Sequence, residues 1–427
     1  MTPTPQRRGV GRGGSGRTLP DDPVAGPAAR TVRPAVVLLG VLALAANLRA
    51  ALAGYPPLLE TVRADLGLSA AVAGLVQAGA VLMMAVGSFA GSSVDARFGR
   101  EAALGGAVAL VGVGSLVRGV PVAATLIGGS LVIGFGIGVA GVLLTGVVKE
   151  HLAARAGAAT GGYVVAMMVG ATLSSALAVP LAVLLGGWSW SLAVWSVPAV
   201  LAAALWAPIA ARTHRHAAAT AATPPAGSVE RAPRRVRRLP WNDRLARLTA
   251  CYQAGTSTMF YGWLTWLAPY YDSLGWSAER AGLLLAVWSV GQIPAALLVP
   301  ALAERRRRWR FWASLMLASA AVGTLGALVV PLPPIIGPWI WALLISFGLG
   351  AGFPLGLAVI AWRTPHGAAS AATSGFALGI GYTAAGVAPV VMGVLVDVSG
   401  YPAAIAVLLL AAAVQAVAIW RIGDRPA

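Results

Sequence analysis

The sequence predicts an all-α membrane protein of twelve spanning helices, built as two six-helix repeats. Composition is the first observation. Of 427 residues 58% are hydrophobic and only 11% charged, with a mean hydropathy of +0.78, whereas a soluble domain carries about 25% charged residues. The second is the length of the apolar runs. Windows of about 20 residues, enough to cross a hydrocarbon core of roughly 30 Å, can be marked off twelve times. None has the ten-residue alternation of an outer-membrane barrel strand. The third is a repeat. Leu66-Gly67-Leu68-Ser69-Ala70-Ala71-Val72-Ala73-Gly74-Leu75 returns 208 positions later as Leu274-Gly275-Trp276-Ser277-Ala278-Glu279-Arg280-Ala281-Gly282-Leu283.

In chain order the expected cores cover residues 35–58, 71–94, 102–120, 122–147, 157–184 and 190–210. The second set covers 247–270, 280–303, 311–331, 336–361, 370–395 and 401–420. Short connections at Pro121 and Pro331 separate the third span from the fourth and the ninth from the tenth. Two further echoes support duplication: Gly134-Phe135-Gly136-Ile137-Gly138 with Ser346-Phe347-Gly348-Leu349-Gly350 at an offset of 212, and Leu205-Trp206 with Ile419-Trp420 at 214. Six is an even number, so the copies share one orientation and are related by an axis along the membrane normal. The expected organisation is a basic disordered tail over 1–33, a six-helix bundle over 34–210, a linker over 211–243, a second bundle over 244–421 and a short tail over 422–427.

The net charge of +17 would suggest nucleic acid if the basic residues clustered on a soluble face. They do not. Alternate connections hold 27 of the 31 Lys and Arg residues, including nine arginines from Arg212 to Arg247 and five from Arg305 to Arg310. Arg63, Arg118 and Arg280 fall on the opposite side and Arg49 inside a span. Positive residues stay cytoplasmic, so both termini are expected inside and no nucleic-acid partner is expected. The single cysteine, Cys251, excludes an internal disulfide, and all four histidines fall in hydrophilic connections. No cofactor or metal is expected. A membrane enzyme would need acid, base or nucleophile residues clustered at one depth, which the spans lack, and no P-loop motif for ATP occurs.

Arg49 is the first functional candidate. A guanidinium at mid-membrane depth costs roughly 3 kcal/mol or more, so it should face protein, water or an anion rather than lipid. Asn47, about 200° around the helix from it, reads as an interhelical hydrogen-bond residue. Depth counting at 1.5 Å per residue places Tyr261, Trp288, Gln292, Phe353 and Tyr382 near the middle as well. Trp288 and Gln292 share a helix face by their i,i+4 spacing. Trp266, Tyr270 and Tyr271, nearer a helix end, read as interface anchors. One arginine fork with a few hydroxyl, amide or indole groups is what a small dehydrated anion requires. No Asp, Glu or His lies in the middle of a span, so a buried carboxylate relay is absent. Uniport or a proton moving on or beside the solute are the open alternatives, with Glu60 and Asp397 as possible carriers.

Two six-helix halves with a long basic connection resemble the major facilitator superfamily. Gly91-Ser92-Ser93-Val94-Asp95-Ala96-Arg97-Phe98-Gly99-Arg100-Glu101 is similar to that superfamily's Gly-x-x-x-Asp-Arg-x-Gly-Arg loop, with one extra residue before the first arginine. The resemblance implies a cytoplasmic gate at Asp95, Arg97 and Arg100, and alternating access in which one half rocks against the other. A narrower likeness runs through Asn47-Leu48-Arg49, Pro56-Pro57-Leu58-Leu59, Arg63 to Ser69, Gly186 to Trp190 and Phe260 to Pro269. These segments resemble the cyanate and 2-nitroimidazole transporter family (CynX/NimT). That likeness implies a monomeric secondary transporter in a bacterial cytoplasmic membrane, carrying a small anion, weak acid or nitroimidazole-like solute. The alternative is an efflux carrier of the same fold for neutral or drug-like compounds.

Overall fold

The computed structural model describes residues 34–152, 156–221, 241–306, 308–364 and 367–423, and among them every regular element is helical. In the first half these are α1 (Pro34–Ala53), a 3₁₀ turn (Pro56–Leu58), α2 (Leu59–Leu66), α3 (Ala70–Phe98), α4 (Arg100–Val117), α5 (Ala123–His151), α6 (Ala156–Leu185), α7 (Trp188–Ala193) and α8 (Ser196–Ala221). The second half holds α9 (Arg244–Ser273), α10 (Ala278–Arg306), α11 (Trp309–Val329), α12 (Trp339–Arg363), α13 (Gly367–Ser399) and α14 (Tyr401–Ile422). The expected tail over 1–33 lies outside the described residues. So does 222–240 of the expected linker, whose first residues instead continue α8 as helix to Ala221.

Eleven helices among the described residues are long and apolar enough to cross a membrane, with α1, the 3₁₀ turn and α2 counted as one crossing from Pro34 to Leu66. The twelfth expected span is α9, thirty residues long and too polar to count by hydropathy. Its Thr249, Tyr252, Gln253, Thr256, Ser257, Thr258 and Thr265 are all buried in protein. A helix that meets little lipid is released from the need for an apolar surface, so hydropathy under-reads the helix nearest the centre.

The repeated decapeptide does the same physical work twice. Gly67 (φ +62°) and Gly275 (φ +88°) take the left-handed conformation that ends one helix. Ser69 and Ser277 then cap the next, accepting from the Val72 and Arg280 amides. Gly74 and Gly282 seat α3 and α10 against the opposite half. A Cβ at Gly74 would lie 2.5 Å from the Pro389 carbonyl oxygen of α13, and one at Gly282 would lie 2.7 Å from the Ser175 carbonyl oxygen of α6. The cross-half pairs α3–α13 and α6–α10 are thus equivalent contacts of a pseudo-two-fold. The glycine stripes obey the same offsets within each half. Gly138 of α5 packs on the Met84 carbonyl, and Gly350 of α12 on the Gln292 carbonyl.

One face of the bundle carries the described chain ends, Pro34 and Gly423. The opposite, distal face carries α2 and the α13–α14 turn. On the distal side a single apolar cluster spans both halves, from Tyr55, Leu58, Ala73 and Val81 through Trp263, Trp266 and Leu285 to Met392. On the termini side the clusters remain within one half each, around Val37, Leu104 and Trp206 or around Tyr252, Trp309 and Leu355. The distal side is closed in this conformation, and the cores part toward the termini.

Candidate functional site

Helix α1 stops at Ala53 because Pro56 and Pro57 have no N–H to continue its ladder. The carbonyls at that end take side-chain donors from elsewhere, although that of Ala50 also accepts the Gly54 amide at 3.3 Å. Ser174 Oγ donates to the Ala50 oxygen at 2.7 Å, and Arg118 Nη1 to the Ala51 oxygen at 2.8 Å. Arg118, expected in a distal connection, is only 1% exposed and also donates to Ser130 Oγ. It caps a broken helix with positive charge, where the dipole favours it. Arg49 is therefore not the sole arginine within the protein body.

Arg49 differs in having no such partners. It lies on α1 about 22 Å from Pro34, at 1.5 Å per residue, and is half-buried. Its guanidinium carbon sits 4.6 Å from the ring centroid of Phe260 on α9, across the interface between halves. Among the described residues it makes no hydrogen bond and no ion pair. A ring covers one face of the guanidinium and leaves its in-plane donors free.

The sequence-derived candidates gather around this pair in part. Phe260 packs at 5.1 Å against both Tyr261 and Trp288, linking α9 to α10. Phe353 of α12 faces Tyr382 of α13 at 6.5 Å. The phenols of Tyr261 and Tyr382 lie within electrostatic reach of Arg49, and Tyr261 Oη approaches Met84 Sδ of α3 at 3.9 Å. The indole Nε1 of Trp288 is buried without a partner among the described residues. Gln292 instead turns its amide nitrogen back to the Trp288 carbonyl at 3.2 Å. Asn47 does what its position suggests, donating to Ala43 and Pro198 carbonyls.

Sequence reasoning missed Phe260 and Met84. Phe260 is one residue from Tyr261 and at the same depth, so depth counting could have found it; Met84 carries no polar signal. Gln77 of α3 was also missed, and it is fully buried with neither amide atom partnered among the described residues.

A polar latch closes the distal face across the halves. Asp397, at the end of α13, accepts from the Ala70 and Ala71 amides that open α3, each at 3.0 Å, and lies 3.5 Å from Arg63 Nη2. Arg63 pairs with Glu60 at 2.9 Å, and Tyr401 Oη donates to Glu60 at 3.1 Å. Trp266, Tyr270 and Tyr271 are buried here rather than anchored at a lipid interface. Trp266 donates to the Pro389 carbonyl and Tyr270 to that of Ala327. On the termini side Arg100 bridges Asp95 at 3.1 Å and Glu150 at 2.7 Å, all within the first half, while Arg97 lies over Phe98.

Residues 37–374 match the Major Facilitator Superfamily. The chain belongs to that superfamily. This facilitator is 33% identical to the 2-nitroimidazole transporter of Escherichia coli (strain K12) over 365 residues, 86% of this chain and 89% of that protein. It is 31% identical to the cyanate transport protein CynX of the same strain over 373 residues, 85% and 91% of the two chains. It is thus a member of their family, a multi-pass membrane transporter and not an enzyme. A partially occluded inward-open structure of the xylose transporter XylE from E. coli superposes with a TM-score of 0.68, covering 91% of this chain and 99% of that one. At 12% identity that likeness shows the fold alone.

Proposed function

We propose that this facilitator moves a small anionic or weakly acidic solute, cyanate-like or nitroimidazole-like, by rocking its two halves about a central site. The observation that carries the reading is Arg49: a positive fork without hydrogen-bond or carboxylate partner among the described residues, lodged between the halves beside Phe260. Tyr261, Trp288, Phe353 and Tyr382 supply aromatic walls and the donors that a planar solute can use, and Gln292 supports Trp288 from the next turn. Asp95, Arg97 and Arg100 form the gate on the termini side, which the basic connections assign to the cytoplasm of a bacterial cell. The carrier works as a monomer.

Purified protein in proteoliposomes, offered labelled cyanate and 2-nitroimidazole, tests this. Uptake by the parent protein and its loss in Arg49→Gln are expected; uptake that survives the substitution defeats the anion reading. An imposed pH gradient separates uniport from proton co-movement, since indifference to the gradient eliminates coupling. The second reading, efflux of neutral planar compounds, is favoured by the aromatic rings around the site. It requires that Arg49→Gln leave transport of such compounds intact.

A further inference from the structure

Two glutamines on equivalent helices handle burial differently. Gln292 on α10 satisfies its amide nitrogen at the carbonyl four residues back, that of Trp288. Gln77 on α3 does not do the same. The carbonyl four residues before it belongs to Ala73 and already accepts the Tyr55 hydroxyl at 3.1 Å, delivered from the break in α1. Gln77 is 0% exposed, and among the described residues neither its Nε2 nor its Oε1 has a partner. A buried amide left wholly unpaired forfeits its hydration and gains nothing in return.

Packing does not explain the residue. At the repeat offset of 208 the second half places Leu285, also 0% exposed, so this location in the fold is compatible with an apolar side chain. Gln77 shares its helix stripe with Ala73, Val81 and Met84, and Met84 Sδ meets Tyr261 of the opposite half. Ala73 and Val81 belong to the distal apolar cluster that joins the halves. The stripe therefore faces the surface that separates when the distal side opens. On either side of it α3 is seated on its neighbours by Gly74 against Pro389 and by Ala80 against Gly134.

We propose that Gln77 is a solute-contacting residue of the distal-open state, its amide offering a paired donor and acceptor to a solute that carries both, such as an azole or an amide. In the distal-closed state the same amide is stranded, so Gln77 also holds the carrier back from resting closed. The inference rests on the alternating-access reading and not on Arg49 or on the charge of the solute.

The test uses A73C in a C251S background, labelled from the distal side with a membrane-impermeant maleimide in the absence of any solute. Gln77→Leu removes the stranded amide, stabilises the closed state and should slow labelling about ten-fold, the effect of relieving one unpaired buried group. Gln77→Asn should label like the parent. In counterflow with 2-nitroimidazole, Gln77→Leu should raise KM about ten-fold with a smaller change in the maximal rate, and Gln77→Asn should recover most of the loss. Gln77→Met serves the same comparison if the leucine variant folds poorly. Labelling within two-fold of the parent in a folded apolar variant overturns the proposal. So does an unchanged KM. Absence of 2-nitroimidazole transport by the parent would count against the proposed solute, while the labelling measurement would still decide Gln77.

Discussion

The distal and termini faces are opposite ends of one helical bundle and hold together in opposite ways. At the distal face one apolar cluster runs through both halves, and Asp397 of the second half caps α3 of the first. At the termini face the described ion pairs of Arg100 with Asp95 and Glu150, and the hydrogen bond between His151 and Glu101, stay within the first half, and each half keeps its own core. Charge alone does not determine closure, since both faces are rich in ion pairs. What distinguishes them is whether a pair and its apolar surroundings bridge the two halves.

The sharpest way to break the distal side is to fill the glycines that let the halves touch. Gly74→Leu drives a side chain into the Pro389 carbonyl, and Gly282→Leu does the same at Ser175. Either should prevent distal closure and reduce transport roughly 100-fold, the upper range for overpacking. Because the two contacts are equivalent, the losses should agree within a few-fold. A benign Gly282→Leu beside a disabled Gly74→Leu would show that the pseudo-symmetry of the contacts is not matched in their energies. Proteoliposome uptake, with size-exclusion profiles to verify folding, reads both.

Arg49 sits where the joined side gives way to the parted side, and it tests whether that boundary is the binding site. Arg49→Gln should lower transport of an anionic solute between about ten- and a hundred-fold, the range for losing hydrogen bonds to a charged group. Thermal stability should change little, because the guanidinium has no hydrogen bond to lose among the described residues and its ring contact contributes only about 0.5–1 kcal/mol. A large drop in Tm with unchanged transport would make Arg49 a structural arginine like Arg118.

These contrasts separate what the sequence could reveal from what it could not. The spans, the duplicated decapeptide and the offset between Gly74 and Gly282 were legible, because hydropathy and repeat are properties of the chain itself. The burial of Arg118 was not legible. The residue lies at a helix end beside a connection, and only the break in α1, with its freed carbonyls, explains why it folds inward. Trp266, Tyr270 and Tyr271 were misread for the converse reason: aromatics near a span's end look like lipid anchors until a second half covers them. Depth counting picked out Arg49, Tyr261, Trp288, Gln292, Phe353 and Tyr382 as candidates, and the structure places Tyr261 and Trp288 against Phe260 beside Arg49. Depth could not reveal that Phe260 holds the arginine, since Phe is ordinary in a span and its role comes from the opposite half.

The latch offers a smaller perturbation of the distal face. Asp397→Asn keeps a side chain of the same shape but removes the charge from the start of α3 and from Arg63. Charge at a helix N-terminus contributes about 0.3–1 kcal/mol, so opening should increase two- to five-fold. Distal cysteine labelling at Ala73→Cys measures it directly. A change as large as that of Gly74→Leu would mean that the latch, not the apolar cluster, closes this face.

An effect of the same small size concerns Phe260 itself. Its ring covers the face of the Arg49 guanidinium and leaves the in-plane N–H groups pointing outward, so ring and anion need not compete. On that geometry the ring is a clamp that limits how far the arginine wanders. Phe260→Leu should raise KM for an anionic solute about two- to five-fold while leaving the maximal rate nearly unchanged, in keeping with a cation–π contact of about 0.5–1 kcal/mol. Phe260→Trp, with a stronger quadrupole, should restore the parent KM if the larger ring fits against Trp288. A fall in KM for Phe260→Leu would reverse the assignment: the ring would then be occupying the arginine while the distal side is closed, and the solute would have to displace it to bind.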